Sequence, residues 1–233
     1  MTARPVSASV HSHLRDAILS GELAPGDPVP SERELSERLG VNRHAVREAI
    51  KRLQQARLVQ VSQGGPTRVL DWRASGGLDL IVDLVRDHSE RIDPGLMSAI
   101  TEMRTCIGVD VARRCAERAS AARREAAAGQ SEVAAATREL AARTAANTAL
   151  WVELVDGAGN LAYRLALNTL VEGVAAFPEL DARLNAPRDD DAGHYAALAA
   201  ALRAGDGPGC ADAARRLLEP PERLTPSRAG STR

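Results

Sequence analysis

Residues 30–69 read PSERELSERLGVNRHAVREAIKRLQQARLVQVSQGGPTRV, and this stretch decides the architecture. Ser31 followed three residues later by Glu34 forms a capping box, and Leu35 and Leu39 then share one helical face. Gly40-Val41-Asn42 supplies a tight turn, with Asn42 placed to cap a second helix. In that helix Ala45, Val46, Ala49, Ile50 and Leu53 recur at three- and four-residue steps and face inward. Beyond it, residues 58–61 (LVQV) and 67–70 (TRVL) alternate as strands around SQGGP, which reads as a hairpin. Two short helices joined by a glycine turn, then a two-stranded hairpin, make a winged helix-turn-helix. Upstream, Val10, Leu14, Ala17 and Ile18 predict a helix that stops at Gly21, and Pro25, Pro28 and Pro30 enforce an extended passage.

The second helix of the pair carries the chemistry. Residues four apart lie on one face, so Arg43 and Arg47 project together, opposite the apolar stripe. A helix of this kind fits the DNA major groove, where Arg bonds guanine O6 and N7 with two parallel hydrogen bonds. Lys51 and Arg52 lie further along, toward phosphates or solvent. The hairpin tip Gln63-Gly64-Gly65 has little bulk and can approach a backbone or minor groove. Between Arg43 and Arg73 seven cations face only Glu48 and Asp71, a local +5 on a chain whose net charge is −1. Such a cluster fits a polyanionic partner, although on charge alone a solvated helix face explains it equally well.

The same stretch closely resembles the N-terminal signature of GntR-type transcription regulators, over about residues 7–70. Residues 64–85 (GGPTRVLDWRASGGLDLIVDLV) resemble the join to an all-helical effector domain of the FadR type. The resemblance implies a double-stranded DNA operator as partner, with Arg33, Arg43 and Arg47 in DNA-contacting positions. It places His44 and Ala45 where the family often has small polar residues, and Gln63 and Gly64 at the wing tip. With His44 in place of a hydroxyl residue, the resemblance does not carry a relative's operator sequence over to this chain.

The remainder fits a two-domain reading. The chain has 233 residues, 44% hydrophobic and 26% charged, which excludes a disordered or disulfide-stapled class. Aromatic residues make up only 2%, so cores must be built from Ala, Leu, Val and Ile in closely packed helices. We read a mainly α protein with a winged helix-turn-helix and two-stranded wing over 1–72, and a linker at 73–77. An antiparallel bundle of about six or seven helices follows over 78–219, with a disordered tail over 220–233. The Ala/Arg/Glu-rich segment near 117–146 reads as one or two outer helices. Residues 150–174 supply two core helices hinged at 157–160. Cys106, Cys115 and Cys210 have no CxxC spacing, no segment has the length and apolarity of a membrane span, and no export signal is legible, so a cytoplasmic location is expected.

Many relatives with this helical domain hold a metal through an Asp, a His four residues later and two further histidines. Here those positions carry Asn147, Trp151, His194 and Leu217 or Leu218, and one imidazole does not make a tight site. No metal or cofactor is expected. Residues 152–174 (VELVDGAGNLAYRLALNTLVEGV) resemble the hinge of the acyl-CoA-binding branch, but residues 215–224 (RRLLEPPERL) lack its expected glycine- and tryptophan-containing segment. A small metabolite, either an acyl-CoA or an organic acid, is therefore the expected effector. Candidate pocket contacts are Arg104, Asn160, Tyr163, Asn168 and His194. Each has a plainer reading: Asn160 as a helix cap, Tyr163 as packing, Arg104 paired with a carboxylate, and His194 in the core or on a helix surface. The resemblance implies a ligand-responsive homodimer, more often a repressor, on a palindromic operator. The alternative is a DNA-binding scaffold whose pocket has decayed. No Ser-His-Asp, Cys-His or paired-carboxylate arrangement supports an enzyme. Gly64-Gly65-Pro66 lacks the Lys-Ser/Thr of a phosphate loop. The acidic run 189–191 reads as a solvated loop or a favourable start to the next helix.

Overall fold

A computed structural model describes residues 6–62, 64–87 and 94–219. The chain divides into two compact units, Met1–Asp87 and His88–Arg233.

The first unit contains α1 (Val6–Ser20), α2 (Glu32–Leu39), α3 (Arg43–Gln55), β1 (Val59–Gln60), β2 (Arg68–Val69), α4 (Trp72–Ser75) and α5 (Leu80–Asp87). The capping box at Ser31 forms in both directions: the Glu34 N–H donates to Ser31 Oγ, and the Ser31 N–H donates to Glu34 Oε2 at 2.8 Å. Gly40 closes α2 in the left-handed region (φ 64°), a conformation that costs glycine nothing. Asn42 Oδ1 then accepts from the Ala45 N–H at 2.8 Å and starts α3. Leu14, Leu35, Val46, Ala49, Leu53 and Leu58 fill the core beneath the two helices.

The wing is shorter than its alternation predicts. Val59 pairs with Val69 and Gln60 with Arg68 in antiparallel register, and pairing goes no further. Continued by two residues, that register sets Ser62 against Pro66, which has no N–H to donate. The first unit also extends past the expected boundary at 72. α4 places a helical turn inside the expected linker, and α5 belongs to this unit, with Leu80 in its core and Asp83 paired to Arg15.

The second unit holds seven described helices: α6 (Pro94–Arg118), α7 (Ala121–Ala136), α8 (Leu140–Ala158), α9 (Leu161–Ala176), α10 (Pro178–Asn185), α11 (Asp191–Ala204) and α12 (Gly207–Leu218). α6 packs against α8 and α12, and α11 against α7 and α12. Gly157 lets α6 and α8 approach closely, since a Cβ there would run into Cys115 Sγ and Ala119. The hinge between α8 and α9 falls where expected, with Gly159 left-handed (φ 64°) and Asn160 capping α9.

The expectation that the Ala-rich segment lies outside the core is overturned. Ala127, Ala128, Ser131 and Ala134 of α7 are buried, and Ser131 donates to the Tyr195 carbonyl at 2.8 Å. Alanine leaves a weak apolar stripe in a sequence but permits the close helix approach seen here. The tail expected beyond Glu219 lies outside the described residues.

Candidate functional site

In the first unit, the cap at Asn42 fixes the start of α3, and the buried stripe Ala45, Val46, Ala49, Ile50 and Leu53 fixes its rotation. Arg43, His44 and Arg47 are consequently exposed on the other side. Ala45 is not among them: its side chain is 7% exposed and its N–H is taken by the cap, so it supports the helix rather than offering a contact. Arg33, in the first turn of α2, is exposed as well. At the wing, Gly64 is exposed and left-handed (φ 73°), whereas Gln63 lies outside the described residues.

Arg47 has a partner that periodicity did not reveal. Its Nε and Nη2 donate to Glu32 Oε1 and Oε2 at 3.1 and 2.8 Å, a two-pronged pair between α3 and α2. That hydrogen bond, helped by the nearby charge of Arg43, holds the Glu32 carboxyl below its ordinary range. The Arg47 side chain nevertheless remains 63% exposed. An exposed pair of this kind is weak and screened by salt, so it orients the guanidinium without withdrawing it from a duplex.

The second unit contains a cavity between α6, α8 and α9, with about 730 Å³ of atom-free space partly open to solvent. Ile107, Val111, Trp151, Leu167 and Val171 make most of its wall apolar, and Arg104 and Asn147 stand at its edge. A second, more polar recess of about 480 Å³ shares Arg104, Asn147, Leu184 and Leu218 with it. Beside the recess lies a buried polar network. Arg143 pairs with Asp191 and donates to the Asn185 carbonyl at 2.9 Å, and Asp191 also accepts from Arg188 Nε at 2.8 Å. Tyr195 Oη donates to Asn147 Oδ1, and Asn147 Nδ2 donates to Asn185 Oδ1 at 3.1 Å. Of the acidic run, Asp189 and Asp190 are exposed and Asp191 opens α11, as expected of a helix start, but Asp191 is also buried as an internal counter-ion.

Of the five candidate pocket residues, two line the cavity. Arg104 does so as a half-buried side chain, its guanidinium pulled down to about 10 by burial. Tyr163 contributes its ring, but its hydroxyl is committed to Asp110 Oδ2 at 2.6 Å. The other three lie elsewhere. Asn160 Oδ1 caps α9 by accepting from the Ala162 N–H, Asn168 is exposed, and His194 sits beside Asp190 at 3.1 Å on α11. Sequence reading missed Arg143 and Asn147 as partners; the available signal was polar residues four apart on an Ala-rich helix, in line with Trp151. Among the described residues no group of three His, Cys, Asp or Glu is arranged to hold a metal ion. No described helix is long and apolar enough to cross a membrane.

Comparison with known proteins agrees with both halves. Residues 6–69 match the bacterial regulatory proteins of the gntR family, and residues 99–220 match the FCD domain. The chain is similar to the HTH-type transcriptional regulator Mce2R of Mycobacterium tuberculosis (strain CDC 1551 / Oshkosh), at 35% identity over 94% of this chain and 91% of that protein. It is also similar to the fatty acid metabolism regulator protein of Enterobacter sp. (strain 638), at 31% identity over 45% of this chain and 44% of that one. Among solved structures, that described as "Lar controls the expression of the Listeria monocytogenes agr system and mediates virulence" superposes with a TM-score of 0.50 at 16% identity. The match covers 94% of this chain and 95% of that one, and supports the fold. With a winged helix-turn-helix matching the one domain and a helical bundle matching the other, the chain belongs to the gntR family of DNA-binding transcriptional regulators, in the group that carries an FCD domain.

Proposed function

We propose that this regulator is a ligand-responsive repressor that binds a palindromic operator as a homodimer and is controlled by a small metabolite in the helical unit. One observation carries the DNA half: Arg43 and Arg47 stand exposed on one face of a helix whose other face is buried. Arg33 and the Gly64 tip are candidates for phosphate or groove contacts beside that helix. His44 adds a further candidate base contact. A two-fold dimer would set two such helices about one turn of DNA apart.

The apolar cavity between α6, α8 and α9, with the polar recess beside it, supports a working effector site over a decayed one. A ligand that binds one dimer geometry better than the other shifts the population and changes operator affinity by that difference. The test is a mobility-shift assay at fixed salt, using a palindrome selected from a randomised duplex pool. Tight binding to it with weak binding to a scrambled duplex is expected. Equal binding to both would sink the reading.

A further inference from the structure

Four residues line both hollows of the helical unit and so form the wall between the apolar cavity and the polar recess: Arg104, Asn147, Leu184 and Leu218. The first three lie within α6, α8 and α10. Leu218 differs, because it is the last residue of α12 and no further helical turn holds it in place. It is nonetheless only 3% exposed. It rests on bare backbone: a Cβ at Gly108 of α6 would run into Leu218 Cδ1 and crowd the Trp151 ring.

The last carbonyls of a helix find no donor within it, and in α12 two side chains from elsewhere supply the donors. Arg188 Nη2 donates to the Arg216 and Leu217 carbonyls, both at 2.9 Å, and its Nη1 donates to the Glu219 carbonyl at 2.7 Å. Thr105 Oγ1 donates to the Leu218 carbonyl at 3.3 Å. Arg188 is held in turn by Asp191, whose Oδ1 accepts from Nε at 2.8 Å and whose Oδ2 accepts from the Arg188 N–H at 2.9 Å. The seat of Leu218 therefore depends on a clasp made by one guanidinium and its buried counter-ion, rather than on α12 alone. A leucine in that wall limits the length of what the cavity can hold. Each methylene that finds apolar surface adds about fourfold to affinity, and a chain that meets Leu218 gains nothing beyond it.

We propose that Leu218 sets the length of ligand that the cavity admits, and that Arg188 is the positioning residue that seats it. With the clasp closed, the cavity takes a short apolar chain. With the clasp open, cavity and recess join and take a long one. This inference rests on the reading of the cavity as the effector site, and adds the residue that limits ligand size.

The experiment measures the binding of two uncharged probes, 1-hexanol and 1-decanol, to the full chain by calorimetry. In the parent, decanol should gain far less over hexanol than the roughly two-hundredfold that four further buried methylenes would supply. Leu218→Ala should raise the decanol-to-hexanol affinity ratio by about tenfold or more, and Leu218→Val by a smaller factor. Leu218→Met, which keeps the volume, should leave the ratio as it is. Arg188→Gln opens the clasp without altering Leu218 and should raise the ratio in the same direction. A purely structural Arg188 would lower the melting temperature and leave the ratio alone. A ratio unchanged in Leu218→Val, in Leu218→Ala or in Arg188→Gln would overturn the inference, as would a parent that already binds decanol with the full gain. Such a result with hexanol binding intact removes this inference alone. Binding of neither alcohol by the parent or any variant removes the reading of the cavity as a ligand site as well.

Discussion

Arg47 is held before it meets DNA. Its guanidinium is gripped by Glu32 through two hydrogen bonds yet stays largely in solvent, so Glu32 both aims it and competes for it. Replacing the carboxylate by an amide, Glu32→Gln, removes a repulsive charge from the DNA-facing side and frees the arginine. Affinity for a scrambled duplex should therefore rise severalfold while the selected operator gains less, so that selectivity falls; a titration of both duplexes at one salt concentration measures it. An unchanged ratio would show that the pair has no part in recognition. Asn42 acts one step earlier by closing the first turn of α3 on the Ala45 N–H. Asn42→Ala should cost about 1 kcal/mol of stability in urea unfolding.

At the scale of helices, two kinds of information behave differently. α2, the turn and α3 were legible because Ser31 with Glu34, Gly40 and Asn42 each mark an end through a purely local hydrogen-bonding or backbone role. α7 was misplaced because its buried face is alanine, and the tightness of a helix crossing depends on the partner helix and not on local periodicity. The α6–α8 crossing shows the same dependence at Gly157, where a side chain would meet Cys115 and Ala119. Gly157→Val should destabilise the helical unit by about 2 kcal/mol through overpacking, read by thermal unfolding. A variant as stable as the parent would mean that the crossing relaxes freely.

At the scale of the whole molecule, buried and half-buried charges such as Asp110 and Asp191 are held by several partners each. Burial pushes the Asp110 carboxyl up, but hydrogen bonds from Tyr163, Arg114 and Arg113 outweigh it and hold it well below the usual carboxylate range. A carboxyl depressed in the folded state stabilises above its unfolded pKa, near 4, and that contribution is lost as pH falls toward the folded value. Asp110→Asn should therefore lower the melting temperature at pH 7 and flatten its decline below about pH 4. Asp191→Asn, which strands Arg143 in the interior, should cost about 3 kcal/mol or more. The cavity itself was only partly legible: Arg104 and Tyr163 were placed by their helices. Asn160, Asn168 and His194 were not, because capping and surface pairing use the same residue types as ligand contacts. Binding of the full protein to its selected operator and to a scrambled duplex at one salt concentration, compared for parent, Arg43→Ala and Arg47→Ala, tests the central claim most directly. Each substitution should reduce operator affinity by about tenfold or more and scrambled-duplex affinity much less. Equal losses on both duplexes, or none on either, would contradict base recognition by this helix face.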